Sequence, residues 1–62
     1  MPSGRWYRSQ RQSLGLTLTA VAAEIGVSLP YVSDLEHGRR VMSWEMSRRF
    51  DAAFQNLAAA KP

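Results

Sequence analysis

Gly15, Gly26 and Gly38 each fall just past an apolar-periodic segment, and this spacing constrains the fold more than any other feature of the chain. Glycine enters the left-handed backbone region without a Cβ penalty, so it often stands where a helix stops. The segments between these stops carry a helical period, and four helices follow. The first is predicted from about Arg5 to Leu14, with Tyr7, Arg11 and Leu14 along one side. The second is capped by Thr17 and carries Leu18, Val21, Ala22 and Ile25 at i, i+3, i+4 and i+7. The third is capped by Ser28, has Pro30 in its first turn, where a missing amide hydrogen costs nothing, and points Val32 and Leu35 inward. The fourth starts at the Ser43 cap, with Glu45 complementing the positive helix end, and runs to about Ala59. Its buried stripe is Met46, Phe50, Ala53, Phe54 and Leu57. Leu16 with Val21, and Val27 with Val32, form candidate hydrophobic staples. No alternating strand pattern occurs. The expected fold is therefore all-α, a small bundle of four or five helices in one domain over residues 1–62, with flexible ends at 1–4 and 60–62.

Only Val27 and Ser28 separate the Gly26 stop from the third helix, so the second and third helices meet through a short Gly-containing turn. This is a helix-turn-helix pattern, over about residues 17–38. A 62-residue chain buries only about 60% of the surface its unfolded form exposes, so a partner subunit would add needed stability. Cysteine is absent, which excludes disulfide staples and thiolate metal sites and fits a reducing cytoplasm. No apolar run approaches the roughly 20 residues that cross a bilayer, and "MPSGRWYRSQRQ" lacks the apolar core of a signal peptide. A cytoplasmic protein with no membrane partner is expected.

Net charge is +3, and its placement matters more than its size. Arg5, Arg8 and Arg11 lie in the first segment, while Arg39 with Arg40 and Arg48 with Arg49 form pairs further on. A clustered basic surplus suits a polyanion, because each phosphate neutralised releases condensed counterions. Solvated helix faces would look the same from charge alone. Catalysis is not expected: His37 is the sole histidine, so neither a metal site nor a nucleophile with its base can be assembled, and no cofactor is implied.

The stretch "GLTLTAVAAEIGVSLPYVSDLEHGRR" resembles the helix-turn-helix of the phage-repressor class, the Cro/C1-type (XRE) family. The likeness covers residues 11–43: an Arg four before the first Gly, the "GLTL" opening, the "GVS" turn, the "YVSxLExGRR" exit and the Ser that caps the next helix. It implies a bundle of four or five helices that binds operator DNA, usually as a two-fold dimer, in transcriptional regulation. Two departures stand out. Gln10 occupies a place where an apolar residue is common, and the segment after Phe50 lacks the break between a fourth and a fifth helix.

Carried over by position, the resemblance puts the start of the third helix in the major groove, with Ser28, Leu29, Pro30, Ser33 and Asp34 facing outward. None of these is Gln, Asn or Arg, whose paired donors and acceptors match base edges, so direct readout is expected to be thin. Leu29 and Pro30 offer apolar contact suited to a thymine methyl, Ser33 can bond either way, and Asp34 can accept from a cytosine amino group. Helix initiation is the ordinary reading of Ser28 and Pro30. Tyr31 sits where the family tends to place a phosphate or base contact, the alternative being packing beside the second helix. Glu36 is implied to pair with Arg11 across the fold, a structural role. Arg39 and Arg40, together with the helix openings at Thr17 and Ser43, are the expected phosphate contacts.

Two functional classes remain. One is a transcriptional regulator, a repressor or autoregulator encoded by a bacterium or phage, that binds double-stranded operator DNA as a homodimer through its C-terminal helix. With no room in 62 residues for an effector domain, it would act by blocking or touching RNA polymerase or another regulator. The other is a protein-interaction module on the same scaffold, an antiactivator or antitoxin-like subunit. Trp6 and Trp44 keep that class open, since exposed aromatics anchor interfaces; packing at the core edge is their ordinary reading.

Overall fold

The computed structural model describes residues 2–60, and the flexibility expected at Met1, Lys61 and Pro62 lies outside the described residues. Four helices and no strand occur among them: α1 (Gly4–Ser13), α2 (Leu18–Ile25), α3 (Leu29–Glu36) and α4 (Trp44–Ala60). All are capped from the sequence as local chemistry dictates. The hydroxyls of Thr17, Ser28 and Ser43 accept from the amides of Ala20, Tyr31 and Met46 at 3.1, 3.3 and 3.0 Å, each satisfying a donor that the first helical turn leaves without a partner.

The start of α1 departs from expectation. Ser3 accepts from the Trp6 amide at 3.3 Å and caps the helix one residue earlier than predicted. Gly4 thus belongs to a helix rather than to a loose end. A Cβ on Gly4 would overlap the carbonyl oxygen of Leu35, so glycine here is a packing requirement: it lets the start of α1 lie against the backbone of α3. At the other end, Ala60 is the last residue of α4 and is likewise helical.

Between α2 and α3 the chain turns at Gly26, whose φ of 87° and ψ of 33° are left-handed. Nothing lies within 4 Å of where its Cβ would stand, so the backbone angle alone selects glycine. The amides of Gly26 and Val27 both return to the Ala22 carbonyl, at 2.9 and 3.1 Å, which closes the end of α2 before Ser28 opens α3. This short connection fixes how α3 is presented.

The core joins all four helices. Val21, Val32 and Phe50 are completely buried, with Leu16, Ala22, Leu35 and Phe54 around them. Tyr7 of α1 meets the rings of Phe50 and Phe54 edge-on at 5.4 and 5.9 Å, the arrangement that aromatic quadrupoles favour. Its hydroxyl donates to Asp51 Oδ1 at 2.8 Å, tying α1 to α4. Burial and the adjacent Asp51 carboxylate both raise the Tyr7 pKa above its ordinary value. Two side chains depart from the predicted core. Leu14, expected on one side with Tyr7 and Arg11, is 39% exposed while those two are buried; it is the C-cap of α1. Met42, in the connection before α4, is buried and fills the place its helical neighbours leave.

One ion pair lies inside this core. Glu36 is fully buried, and Arg11 faces it through Nε to Oε2 at 2.9 Å and Nη2 to Oε1 at 3.1 Å. Arg11 Nη1 also donates to the Leu16 carbonyl at 2.8 Å, so the same guanidinium holds α3 and the connection before α2. No buried polar side-chain atom among the described residues lacks a partner. No helix among them is long and apolar enough to cross a membrane.

Candidate nucleic-acid interface

All ten residues expected to meet DNA retain exposure: Thr17, Ser28, Leu29, Pro30, Arg39, Arg40 and Ser43 are exposed, and Tyr31, Ser33 and Asp34 are half-buried. Leu29, at the first position of α3, leaves an apolar side chain 43% exposed. Ser28, Thr17 and Ser43 use their oxygens as caps, yet each hydroxyl keeps a hydrogen to donate.

The end of α3 is built with more detail than the sequence reading captured. Gly38 donates to the Leu35 carbonyl and Arg39 to the Asp34 carbonyl, at 3.3 and 2.9 Å, the paired bonds of a Schellman stop with the left-handed residue, Gly38, at φ 75°. The turn folds Arg39 back along α3. There its Nε donates to Asp34 Oδ1 at 2.8 Å and its Nη2 to Ser33 Oγ at 3.3 Å. Asp34 and Arg39, expected to serve as separate base and phosphate contacts, are therefore one bonded unit with Ser33. The spacing of five lies outside the i, i+3 and i, i+4 pairs of a continuous helix, which is why periodicity did not reveal it. A glycine stop followed at once by Arg, five residues after an Asp, is the signal that would have.

Arg40 takes the other direction. Its guanidinium lies 5.1 Å from the centre of the Tyr31 ring, a cation–π contact on a side chain that also packs against the core. Tyr31 therefore packs against the core, as one of its two expected roles requires, and its ring also carries an arginine.

Further basic residues border the same helix end. Arg5 and Arg8 of α1 line a concavity with Glu36 and His37. Neither Arg5, Arg8 nor Arg40 forms an ion pair with another described residue, whereas Arg11 and Arg39 do. Three arginines without an ion pair thus border the exit of α3, and a fourth, Arg48, lies on α4. His37 closes α3, with Nδ1 2.8 Å from the Ser33 carbonyl oxygen. Arg48 and Arg49 are exposed on α4, where Arg49 meets Glu45 at 3.5 Å.

The two tryptophans are largely exposed, and among the described residues only Trp6 has a ring contact with a core residue. Trp6 is 54% and Trp44 62% exposed, and Trp6 leans edge-on against Tyr7 with ring centres 4.9 Å apart. Val41, in the connection between α3 and α4, is also exposed.

A protein-family model described as a helix-turn-helix domain matches residues 4–57, nearly the whole described chain and all four helices in part or whole. The chain belongs to this helix-turn-helix family. No curated protein and no solved structure matches it. Membership supports DNA as the partner of the domain, and the uncompensated arginines at the exit of α3 supply the charge such a partner requires. Within the matched span, α2 and α3 are joined through the left-handed Gly26.

Proposed function

We propose that the chain is a sequence-specific, DNA-binding transcriptional regulator of the Cro/C1-type (XRE) kind, a repressor or autoregulator that binds an inverted-repeat operator as a homodimer. The observation that carries this reading is the exposed outer side of α3 with unpaired Arg5, Arg8 and Arg40 around its exit. In this arrangement α3 is the recognition helix, and Leu29 and Pro30 at its start offer apolar contact to a thymine methyl. Thr17 and Ser43 sit at helix openings whose first amides and positive dipole ends suit phosphate oxygens. Arg40, steadied on Tyr31, makes a further backbone contact. Such contacts fix position, while sequence is read by α3 and by the shape of the duplex.

The homodimer forms through the C-terminal half of α4. Phe50, Ala53 and Phe54 are buried within one chain, whereas Leu57 and Ala58 are only half-buried and Ala59 and Ala60 are exposed. Two copies with recognition helices about 34 Å apart would address successive major grooves on one side of the duplex.

The exposed pair Trp6 and Trp44 favours a second reading, in which the same scaffold docks on another regulator or on RNA polymerase. Enrichment of duplexes from a random library, followed by a footprint on the enriched duplex, separates the two. The DNA-binding reading expects two protected half-sites one helical turn apart; an interaction module without DNA binding enriches nothing.

A further inference from the structure

The recognition helix contains no arginine, yet one is docked on it. Arg39 reaches the outer side of α3 from beyond the glycine stop, and three features hold it there: the bond of its amide to the Asp34 carbonyl at 2.9 Å, Nε to Asp34 Oδ1 at 2.8 Å, and Nη2 to Ser33 Oγ at 3.3 Å. As a stabilising device this is poor. The side chains are 59% and 37% exposed, and an exposed ion pair contributes little to folding once screening and side-chain entropy are counted. It also places a carboxylate on a surface that meets phosphates, which opposes binding. An arrangement that adds little stability and offsets the arginine's attraction for a polyanion needs another reason, and the geometry of the guanidinium supplies one.

A guanidinium is planar, with five N–H donors. Nε–H and one Nη2–H lie on one edge, and the two bonds to α3 are made by Nε and Nη2, the two nitrogens of that edge, while Nη1 makes none. The opposite edge, formed by Nη1 and the second Nη2 hydrogen, keeps two parallel donors, the pattern that matches O6 and N7 of guanine. We propose that Arg39 is the principal base-reading residue of this domain, presenting that edge to a guanine in each half-site, and that Asp34 and Ser33 are positioning residues that hold it. The two adjacent arginines then divide the work: Arg39 reads, and Arg40, stacked on Tyr31, contacts phosphate. Holding the side chain in place before DNA arrives removes part of the ordering cost that a free arginine would meet on binding.

The proposal rests on the DNA-binding reading above, and its test is arranged so that the two can fail separately. Duplexes are enriched from a random library with the parent chain, and the enriched duplex and its single-base variants are titrated with the parent and with R39A, R40A, D34A and D34N. The parent should show a G·C pair in each half-site whose replacement weakens binding about tenfold. R39A should abolish that preference and leave the others. R40A should weaken every duplex by a similar factor. D34A removes a negative charge, so it should tighten binding to unrelated duplexes while flattening the preference at the G·C pair; D34N, which keeps the Oδ1 acceptor, should retain more of that preference. A purely structural role for Asp34 would move neither measurement in this way. An R39A chain that loses affinity equally for all duplexes, with its base preferences intact, overturns the proposal and leaves DNA binding standing. A parent chain that binds no duplex overturns both.

Discussion

The Arg11 guanidinium meets the fully buried Glu36 carboxylate with Nε 2.9 Å from Oε2, while the Asp34 carboxylate, two residues earlier on α3, meets Arg39 at 2.8 Å in solvent. Two acids on one short helix thus hold two arginines at opposite ends of the burial scale. Their consequences for stability should differ accordingly. Removing one partner of a buried pair leaves an uncompensated charge and costs about 3–5 kcal/mol, whereas breaking an exposed pair costs about 0–1 kcal/mol. For a domain of this size the first value approaches the whole stability. Urea or thermal unfolding of Glu36→Ala should show a largely unfolded or strongly destabilised chain, and Asp34→Ala a melting temperature close to the parent. Equal destabilisation by the two would contradict this division.

Gly4→Ala should destabilise the fold by about 1–3 kcal/mol, because the new methyl overlaps the Leu35 carbonyl and must push the start of α1 away from α3. Ser3→Ala, which removes only the cap, should cost about 1 kcal/mol. Circular dichroism melts of the two variants compare them directly, and a Gly4→Ala chain as stable as the parent would show that α1 does not need this close approach.

The Tyr7 hydroxyl predicts an alkaline weakness. Burial and Asp51 raise its pKa in the folded chain above the unfolded value of about 10. Between those two values the unfolded chain has lost the proton that the folded chain keeps, so stability is fully present below about pH 10 and falls as pH rises through the folded pKa. Urea midpoints measured from about pH 8 to pH 11 should decline in the parent. Tyr7→Phe should flatten the decline, at a cost of about 1 kcal/mol for the lost bond to Asp51 at neutral pH.

These contacts mark how far the sequence could be read. The caps at Thr17, Ser28 and Ser43 were legible because a side-chain oxygen three residues before an amide is a local device. The stripe from Phe50 to Leu57 was legible because helical period is local too. Tyr7 with Asp51 is separated by 44 positions, and Gly4 against Leu35 is a backbone approach; neither leaves a periodic trace. Met42 is buried from an irregular segment, where no period exists to assign a face. The Asp34–Arg39 pair spans a helix stop, so its residues are close in sequence yet outside the rule that relates neighbours on a helix.

Ala58→Glu together with Ala59→Glu tests the proposed dimer seam. Ala58 is half-buried and Ala59 exposed, so helicity should survive, while a seam on the C-terminal half of α4 would gain two unpaired carboxylates per chain. Sedimentation should show dimers for the parent at tens of micromolar and monomers for the variant, with tight operator binding lost. A parent that sediments as a monomer at that concentration and still binds a single half-site tightly would contradict the seam.

The most direct test of the account is the salt dependence of duplex binding, followed by fluorescence anisotropy between about 50 and 200 mM salt. With about four to eight phosphate contacts per dimer at about 0.9 counterions each, affinity should fall by roughly a hundredfold or more across that range, and Arg40→Ala should make the slope shallower. A parent chain that binds no duplex at tens of micromolar in the lower salt, or that binds with no dependence on salt, would contradict it.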